Sequence, residues 1–293
     1  MARLLCALAA TLTISATSAV LATPAGAEPN IQPVGSVSIP DGPAATWIVA
    51  DMDTGQVLAG RGMYEPHPPA STIKTLLALT ALDELNLDST VAASPANTHV
   101  ECSCAGIKPG HVYTARQLLD ATLLVSGNDA ANTLADMLGG FDVAVDKMNA
   151  KAAAIGASNT HATSPSGLDG PGGAGWTTPH DLAAIFRAAM ANPVFAQITA
   201  EPAAPFPTDT GERLLVNQNE LLARYPGAIG GKTGFTDAAR KTYVGAADRD
   251  GRRLVIAMMY GLVHAGGPTY WDQATMLLDW GFAQNRSESV AAL

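Results

Sequence analysis

Three short stretches stand in one order along the chain: Ser71-Thr72-Ile73-Lys74 after Pro69-Ala70, then Ser126-Gly127-Asn128, then Lys232-Thr233-Gly234 between Gly230-Gly231 and Phe235. Together they supply a nucleophile, a base, a proton relay and an anion clamp. The chain carries six lysines, and Ser71 with Lys74 is the only pair in which a serine precedes a lysine by three places. A free serine hydroxyl is too weak an acid to attack an acyl carbon, and a lysine serves as its base only if its pKa falls toward neutrality. Burial and a neighbouring positive charge both push a lysine that way. The apolar run Leu76-Leu77-Ala78-Leu79 after Lys74 predicts burial, and Lys232 supplies the second charge if its strand lies beside the helix. The expectation is a neutral Lys74 and a charged Lys232.

Pro68-Pro69-Ala70 cannot continue a helix, so a helical turn starts afresh at about Ser71 and returns Lys74 to the same face. A helix start leaves backbone amides unpaired, so the N–H of Ser71 is a candidate oxyanion donor, with the amide of Phe235 as the second. Ser126 ends one apolar helical stretch and Asn128 starts another, which places a break at Gly127. There Ser126 is a candidate proton relay and Asn128 a holder of a substrate amide. Gly230, Gly231 and Gly234 leave one side of the Lys232 strand bare for an extended peptide, while Lys232 and Thr233 bind a carboxylate. The predicted substrate is peptide-like with a free C-terminus. Each stretch alone reads as a helix cap, a loop or a turn. Their conjunction, each at a predicted element boundary, points to acyl transfer.

The elements that must position these groups are legible in outline. Trp47-Ile48-Val49-Ala50 and Gln56-Val57-Leu58-Ala59 flank the turn Asp53-Thr54-Gly55, predicting a hairpin. A second hairpin is predicted from Thr242 to Ala247 and Leu254 to Tyr260 around Asp248-Arg249-Asp250-Gly251. Helical spacing appears over Thr72–Leu85, Ala115–Val125, Asp129–Leu138, Phe141–Ile155, Pro179–Met190 and about Thr269–Phe282. Residues 170–175, with Pro171 and four glycines, read as a surface loop. The predicted class is α+β: one antiparallel sheet assembled from distant pieces and flanked by helices, with an all-helical subdomain inserted over approximately 86–200. The predicted division is an export signal over 1–27, an extended leader over 28–44, a catalytic domain over 45–285 and a tail over 286–293.

With 293 residues and 47% hydrophobic content, the chain buries a full core. Arg3, the apolar run Leu4 to about Ala22 and the small-residue exit Thr23-Pro24-Ala25-Gly26-Ala27 read as a signal removed before Glu28, against the alternative of a membrane span. Its removal leaves 16 basic against 26 acidic residues, a net charge of −10, which argues against a nucleic-acid partner. With no second long apolar segment and no basic amphipathic helix at the C-terminal end, no stable membrane anchor is expected after cleavage, and the mature protein is expected to be soluble in the periplasmic, extracellular or cell-wall space. In an exported chain Cys102 and Cys104 favour a local disulfide or idle thiols; the alternative is a metal site of His99, Cys102, Cys104 and His111, whose cysteine spacing is too short for the usual zinc knuckles. No metal or organic cofactor is called for.

On these residues the chain resembles the serine D-alanyl-D-alanine carboxypeptidases, the low-molecular-mass penicillin-binding proteins, over about residues 45–282. Pro69-Ala70-Ser71-Thr72-Ile73-Lys74 is similar to their nucleophile motif, Ser126-Gly127-Asn128 before Asp129-Ala130-Ala131 to their second, and Gly231-Lys232-Thr233-Gly234-Phe235-Thr236 to their third. Ser164-Pro165-Ser166-Gly167-Leu168 with Thr177-Thr178-Pro179-His180-Asp181-Leu182-Ala183 is similar to a family stretch linking a loop to a helix, to which a structural role is assigned. The resemblance implies that the penultimate D-alanine carbonyl of a peptidoglycan stem peptide acylates Ser71, that Lys74 takes its proton, that Ser126 relays one to the departing D-alanine, and that Lys232 and Thr233 hold the terminal carboxylate. It also implies inhibition by β-lactams. Two alternatives remain: a class A β-lactamase, for which residues 155–175 lack a glutamate and offer only Asp169, and a peptide- or lactam-sensing module without turnover. The β-rich domain and amphipathic anchor that many members add are not expected, since about ten residues follow the last helix.

Overall fold

The computed structural model describes residues 29–101, 103–169, 173–261 and 266–293. The predicted export signal over 1–27, Cys102 and residues 170–172 of the predicted glycine-rich loop lie outside them.

In chain order, β1 (Ala44–Asp51) and β2 (Gln56–Arg61) form the first hairpin, and a 3₁₀ turn (Ala70–Ile73) runs directly into α1 (Lys74–Glu84). Then come β3 (Thr90–Ala92), α2 (Pro95–Thr98), β4 (Val112–Thr114), α3 (Ala115–Leu124), α4 (Asn128–Met137) and α5 (Phe141–Ala154). After α6 (Pro179–Met190) and α7 (Pro193–Ala200), β5 (Ala203–Thr208) pairs with β6 (Gly211–Val216). The chain ends with α8 (Leu221–Arg224), β7 (Ala228–Thr236), β8 (Arg240–Arg249), β9 (Arg252–Gly261), α9 (Tyr270–Ala283) and β10 (Ala291–Ala292).

Helix starts follow side-chain chemistry. Thr114 accepts from the Gln117 N–H while the Gln117 side chain accepts from the Thr114 N–H, a reciprocal cap that fixes the first turn of α3. Thr178 caps α6 by accepting from Asp181 N–H, with Pro179 in the first helical position, where its missing N–H costs nothing.

Both predicted hairpins join one antiparallel sheet of order β10-β2-β1-β9-β8-β7, in which β7 is an edge. Alternation along its strands sorts two cores. Trp47, Val49, Leu254, Ile256 and Met258 pack with Leu277, Leu278 and Trp280 of α9. Ile48, Ala50, Val255, Ala257 and Met259 pack with Ile73, Leu76 and Leu77 and with Leu182, Ile185 and Phe186 of α6. Because both faces are covered, β1 and β9 read as continuous apolar runs instead of alternating ones.

The helical layer differs from the predicted inserted subdomain in two respects. Within 86–200, α6 touches β1 and β9, so it covers the sheet alongside α1. The same span also holds the small β3–β4 pair. At the C-terminal end, residues 286–293 include β10, whose Ala291 and Ala292 pair with Val57 and Gln56 of β2. Along 28–44, Ile31 exchanges backbone bonds with Gly60 and the Trp280 indole N–H donates to the Val37 carbonyl at 2.8 Å. No helix among the described residues is long and apolar enough to cross a membrane.

Candidate active site

The three stretches meet at one cleft of about 400 Å³, lined by Ser71, Ser126, Asn128, Thr233, Gly234 and Phe235. Lys74 and Lys232 lie buried beneath it, at 0% and 2% exposure. Ser71 sits in the 3₁₀ turn, and Lys74 opens α1 one turn later.

The edge strand β7 is pressed onto that turn. A Cβ on Gly234 would stand 2.9 Å from the Ser71 amide nitrogen and 2.4 Å from Thr242 Oγ1, so only glycine allows this approach. Thr242 Oγ1 in turn donates to the Pro69 carbonyl at 2.9 Å, stitching β8 to the residues before the nucleophile.

Lys74 Nζ lies 2.7 Å from Ser71 Oγ, 2.7 Å from Asn128 Oδ1 and 2.6 Å from the Ser166 carbonyl oxygen. The Asn128 amide is oriented because its Nδ2 donates to the Glu101 carbonyl at 2.7 Å, which turns Oδ1 toward the lysine. Burial, and after it the charge of Lys232, push the Lys74 pKa well below its usual value, with Asp129 acting weakly the other way. A neutral amine has two N–H groups and one lone pair. Its two donors satisfy Asn128 Oδ1 and the Ser166 carbonyl, which accept only. The lone pair is then left for the Ser71 hydroxyl, which donates to it. The geometry thus aims the Lys74 lone pair at the Ser71 hydroxyl.

Lys232 differs from the fixed charge expected of it. Burial brings its pKa down to about 7, so it titrates at neutrality. Its Nζ donates to the Thr233 carbonyl at 2.7 Å. Phe235 stands on the rim, 59% exposed.

The break between α3 and α4 spans residues 125–127 and holds Gly127, as expected, but the left-handed residue in it is not the glycine. Ser126 takes the left-handed conformation at φ 59°, whereas Gly127 has φ −57°. Gly127 is needed for space: a Cβ there would stand 3.0 Å from both Ala105 Cβ and Asp129 Oδ1. Ala70, just before the nucleophile, is also left-handed at φ 48°.

Two participants escaped the sequence reading. Ser166 belongs to a stretch assigned a structural role, yet its carbonyl accepts from the Lys74 amine. Its loop docks tightly, since a Cβ on Gly167, at φ +83°, would stand 2.0 Å from the Ala70 carbonyl oxygen. Asp129, 2% exposed, accepts from the N–H groups of Ala105, Gly106 and Ile107 at 2.8 to 2.9 Å and so fastens the loop that lines the cleft opposite β7. Its place directly after Asn128 in the second motif was the available signal.

Asp169 is exposed to solvent, and what faces Lys74 from its loop is a carbonyl. Cys104 is disulfide-bonded, which removes one thiolate from the alternative donor set of His99, Cys102, Cys104 and His111. His111 instead lies 3.5 Å from Asp209. Among the described residues no group of three His, Cys, Asp or Glu side chains is placed to hold a metal ion.

Residues 34–261 match the family model for D-alanyl-D-alanine carboxypeptidase, peptidase S11. The D-alanyl-D-alanine carboxypeptidase DacB2 of Mycobacterium tuberculosis is 74% identical over 267 residues, covering 91% of this chain and 92% of that one. The D-alanyl-D-alanine carboxypeptidase of Streptomyces sp. strain K15 is 32% identical over 89% of this chain and 92% of that one. Among solved structures, a D-alanyl-D-alanine carboxypeptidase from M. tuberculosis H37Rv superposes with a TM-score of 0.89 at 74% identity, covering 90% of this chain and all of that one. The Streptomyces K15 DD-transpeptidase gives 0.78 at 31% identity, covering 85% of this chain and all of that one.

Proposed function

The chain belongs to the S11 family of D-alanyl-D-alanine carboxypeptidases, and we propose that it is an exported serine enzyme that removes the terminal D-alanine from peptidoglycan pentapeptide stems through an acyl-enzyme on Ser71. The observation that carries the reading is the buried Lys74 amine, whose two acceptor neighbours leave its lone pair for the Ser71 hydroxyl.

The stem peptide lies along the free edge of β7 with its carboxylate at Lys232 and Thr233, and Asn128 orients its backbone. Ser71 Oγ attacks the penultimate carbonyl as Lys74 accepts its proton, and the amides of Ser71 and Phe235 receive the oxyanion. Ser126, buried at the cleft wall, passes a proton to the departing D-alanine. Water then releases the acyl group. A β-lactam presents the same carbonyl and carboxylate and leaves a slowly hydrolysed adduct. The absence of a buried carboxylate at Asp169 favours a peptidase over a class A β-lactamase, which needs one to activate the deacylating water. The export reading rests on residues 1–27 and puts the enzyme in the periplasmic, extracellular or cell-wall space.

The test is mass spectrometry of the wild type and the Ser71→Ala variant after incubation with a penicillin, together with D-alanine release from a soluble pentapeptide. The expected result is an adduct and D-alanine release for the wild type only. An adduct on Ser71→Ala removes Ser71 from the mechanism. Acylation of the wild type without D-alanine release points to a sensor.

A further inference from the structure

A second groove, of about 470 Å³, lies between the segment leading to the nucleophile and the outer side of the loop that supplies the Ser166 carbonyl. Its walls carry Tyr64 and Trp176, which stay 52% and 47% exposed, together with the exposed polar residues Ser158 and Asn159. Large exposed aromatic side chains keep apolar surface in water at a free-energy cost that a ligand covering them would relieve, so two lining one concavity with uncharged polar neighbours mark a binding surface.

These rings are held in place. The Trp176 backbone exchanges hydrogen bonds with His161 at 2.8 and 3.0 Å, and the next residue, Thr177, exchanges two more with His67. Gly175 lets the chains close up, since a Cβ there would meet the His161 carbonyl oxygen at 2.5 Å. The Trp176 ring is backed by the His161 ring at a centroid distance of 4.5 Å, and the Tyr64 ring by His180 at 5.0 Å. The Asn159 N–H donates to buried Asp181 at 2.6 Å, so its position is fixed too. A preorganised platform of this kind binds without first paying to order itself.

The chemistry of the lining selects the ligand. A saccharide presents axial C–H groups on a ring face, which pack on an aromatic face, and a rim of hydroxyl and amide groups, which hydrogen-bond to Ser, Asn and backbone groups. Tyr64, Trp176, Ser158 and Asn159 carry no charge, and the one imidazole of the wall, His67, is pushed toward its neutral form by burial, with the charge of Glu65, 3.3 Å away, acting the other way, so an anionic ligand finds no fixed counter-charge in the lining. The groove and the cleft share no wall residue, but the chain segments that line them are near in sequence. Pro68 is in the groove's wall three residues before Ser71, and the loop that offers Trp176 to the groove offers Leu168 to the cleft.

We propose that this groove is a glycan subsite in which Trp176 and Tyr64 stack on an N-acetylhexosamine ring of the strand whose stem peptide occupies the catalytic cleft. The inference rests on the stem-peptide reading given above, and makes the enzyme a reader of polymeric substrate as well as of the peptide terminus.

Two measurements on the full protein test it. Chitotetraose, an uncharged N-acetylglucosamine oligomer, is expected to shift tryptophan fluorescence or amide resonances of the wild type and to lose that effect in Trp176→Ala. D-alanine release is compared between a soluble acetylated pentapeptide and intact peptidoglycan. Trp176→Ala and Tyr64→Ala are expected to raise KM on peptidoglycan by about three- to tenfold, the range of one aromatic stacking contact, and to leave the peptide unchanged, while Trp176→Phe and Tyr64→Phe, which keep a ring, stay near the wild type on both. Equal effects on both substrates, or no chitotetraose response in the wild type, overturn the subsite. Chitotetraose binding by an enzyme that ignores the soluble pentapeptide instead overturns the stem-peptide reading, so the two failures are distinguishable.

Discussion

Replacing Lys232 with methionine is expected to stabilise the protein at neutral pH while impairing catalysis. The side chain is fully enclosed, and burial takes its pKa from 10.5 to about 7. The native state therefore gives up this proton more readily than the unfolded chain does. At about 1.36 kcal/mol per pH unit, the depression corresponds to about 5 kcal/mol of destabilisation. The penalty is fully present below pH 7, shrinks as pH rises from 7 to 10.5, and is absent above. Methionine keeps the length of the stem but forfeits the bond to the Thr233 carbonyl, worth about 1 kcal/mol. The net expectation for Lys232→Met is a gain of about 3 to 4 kcal/mol at pH 6 to 7, passing to a loss of about 1 kcal/mol above pH 10.5. Chemical denaturation of both proteins across pH 6 to 10.5 reads this directly. A variant less stable than the wild type by one constant amount at every pH refutes the buried, titrating lysine. A second readout is the kcat/KM of the wild type, which should fall as pH rises through about 7 because the free enzyme loses the cation proposed to capture the carboxylate.

Lys74→Ala removes the proposed base without touching Ser71, and its acylation rate by a penicillin is expected to drop by about 10³-fold, which stopped-flow or timed mass spectrometry resolves. Acylation at the wild-type rate rejects the base assignment. Gly234→Ala places a methyl 2.9 Å from the Ser71 nitrogen and 2.4 Å from Thr242 Oγ1, which is already committed to the Pro69 carbonyl. Overpacking of about 1 to 3 kcal/mol in denaturation and a loss of acylation rate are expected together; a variant indistinguishable from the wild type in both rejects the close approach of β7.

The side chains of the site were legible because chemistry needs particular residue types at particular spacings. Ser71 and Lys74 had to share a helix face, and Ser126, Asn128 and Lys232 carry functional groups that few other residues replace. What the backbone contributes was illegible for the converse reason. Any residue has a carbonyl, so nothing in the letters of Ser166 singles it out as the acceptor that settles which way the Lys74 lone pair faces. The same holds for elements whose local signals conflict. Pro205 and Pro207 argue against a strand over Ala203–Thr208, yet β5 pairs along its whole length with β6. The run Val194 to Thr199 mixes Val, Phe, Ile and Thr, which favour strands, but Asn192 caps it by accepting from the Val194 N–H and Pro193 opens it as α7. The hairpins were readable because turn and strand signals agreed. The ionisation of Lys232 was not, because it depends on how completely the sheet edge and its neighbours close over it.

Two departures from easy backbone geometry stand beside the cleft. Among the described residues, the non-glycine positions at positive φ are Ala70, Ser126, Arg240, Asp250 and Tyr260. Arg240 and Asp250 serve the turns that join β7 to β8 and β8 to β9. Ala70 and Ser126 flank the cleft instead, each at a cost of about 1 to 2 kcal/mol relative to ordinary backbone. Both are held by their surroundings: Gly167 closes over the Ala70 carbonyl, and beyond Ser126 the chain is fixed by Gly127 N–H to the Ala121 carbonyl and Asn128 N–H to the Ser103 carbonyl. The strain turns Ser71 and Ser126 toward the same space, and two lysines are buried below them against their hydration. Stability is thus spent where groups must be aimed or deprotonated, so substitutions that relieve the strain at Ser126 or the burial of Lys232 should gain stability and lose rate together, whereas an apolar core position such as Leu277 should lose stability when truncated and leave the chemistry of the folded fraction intact.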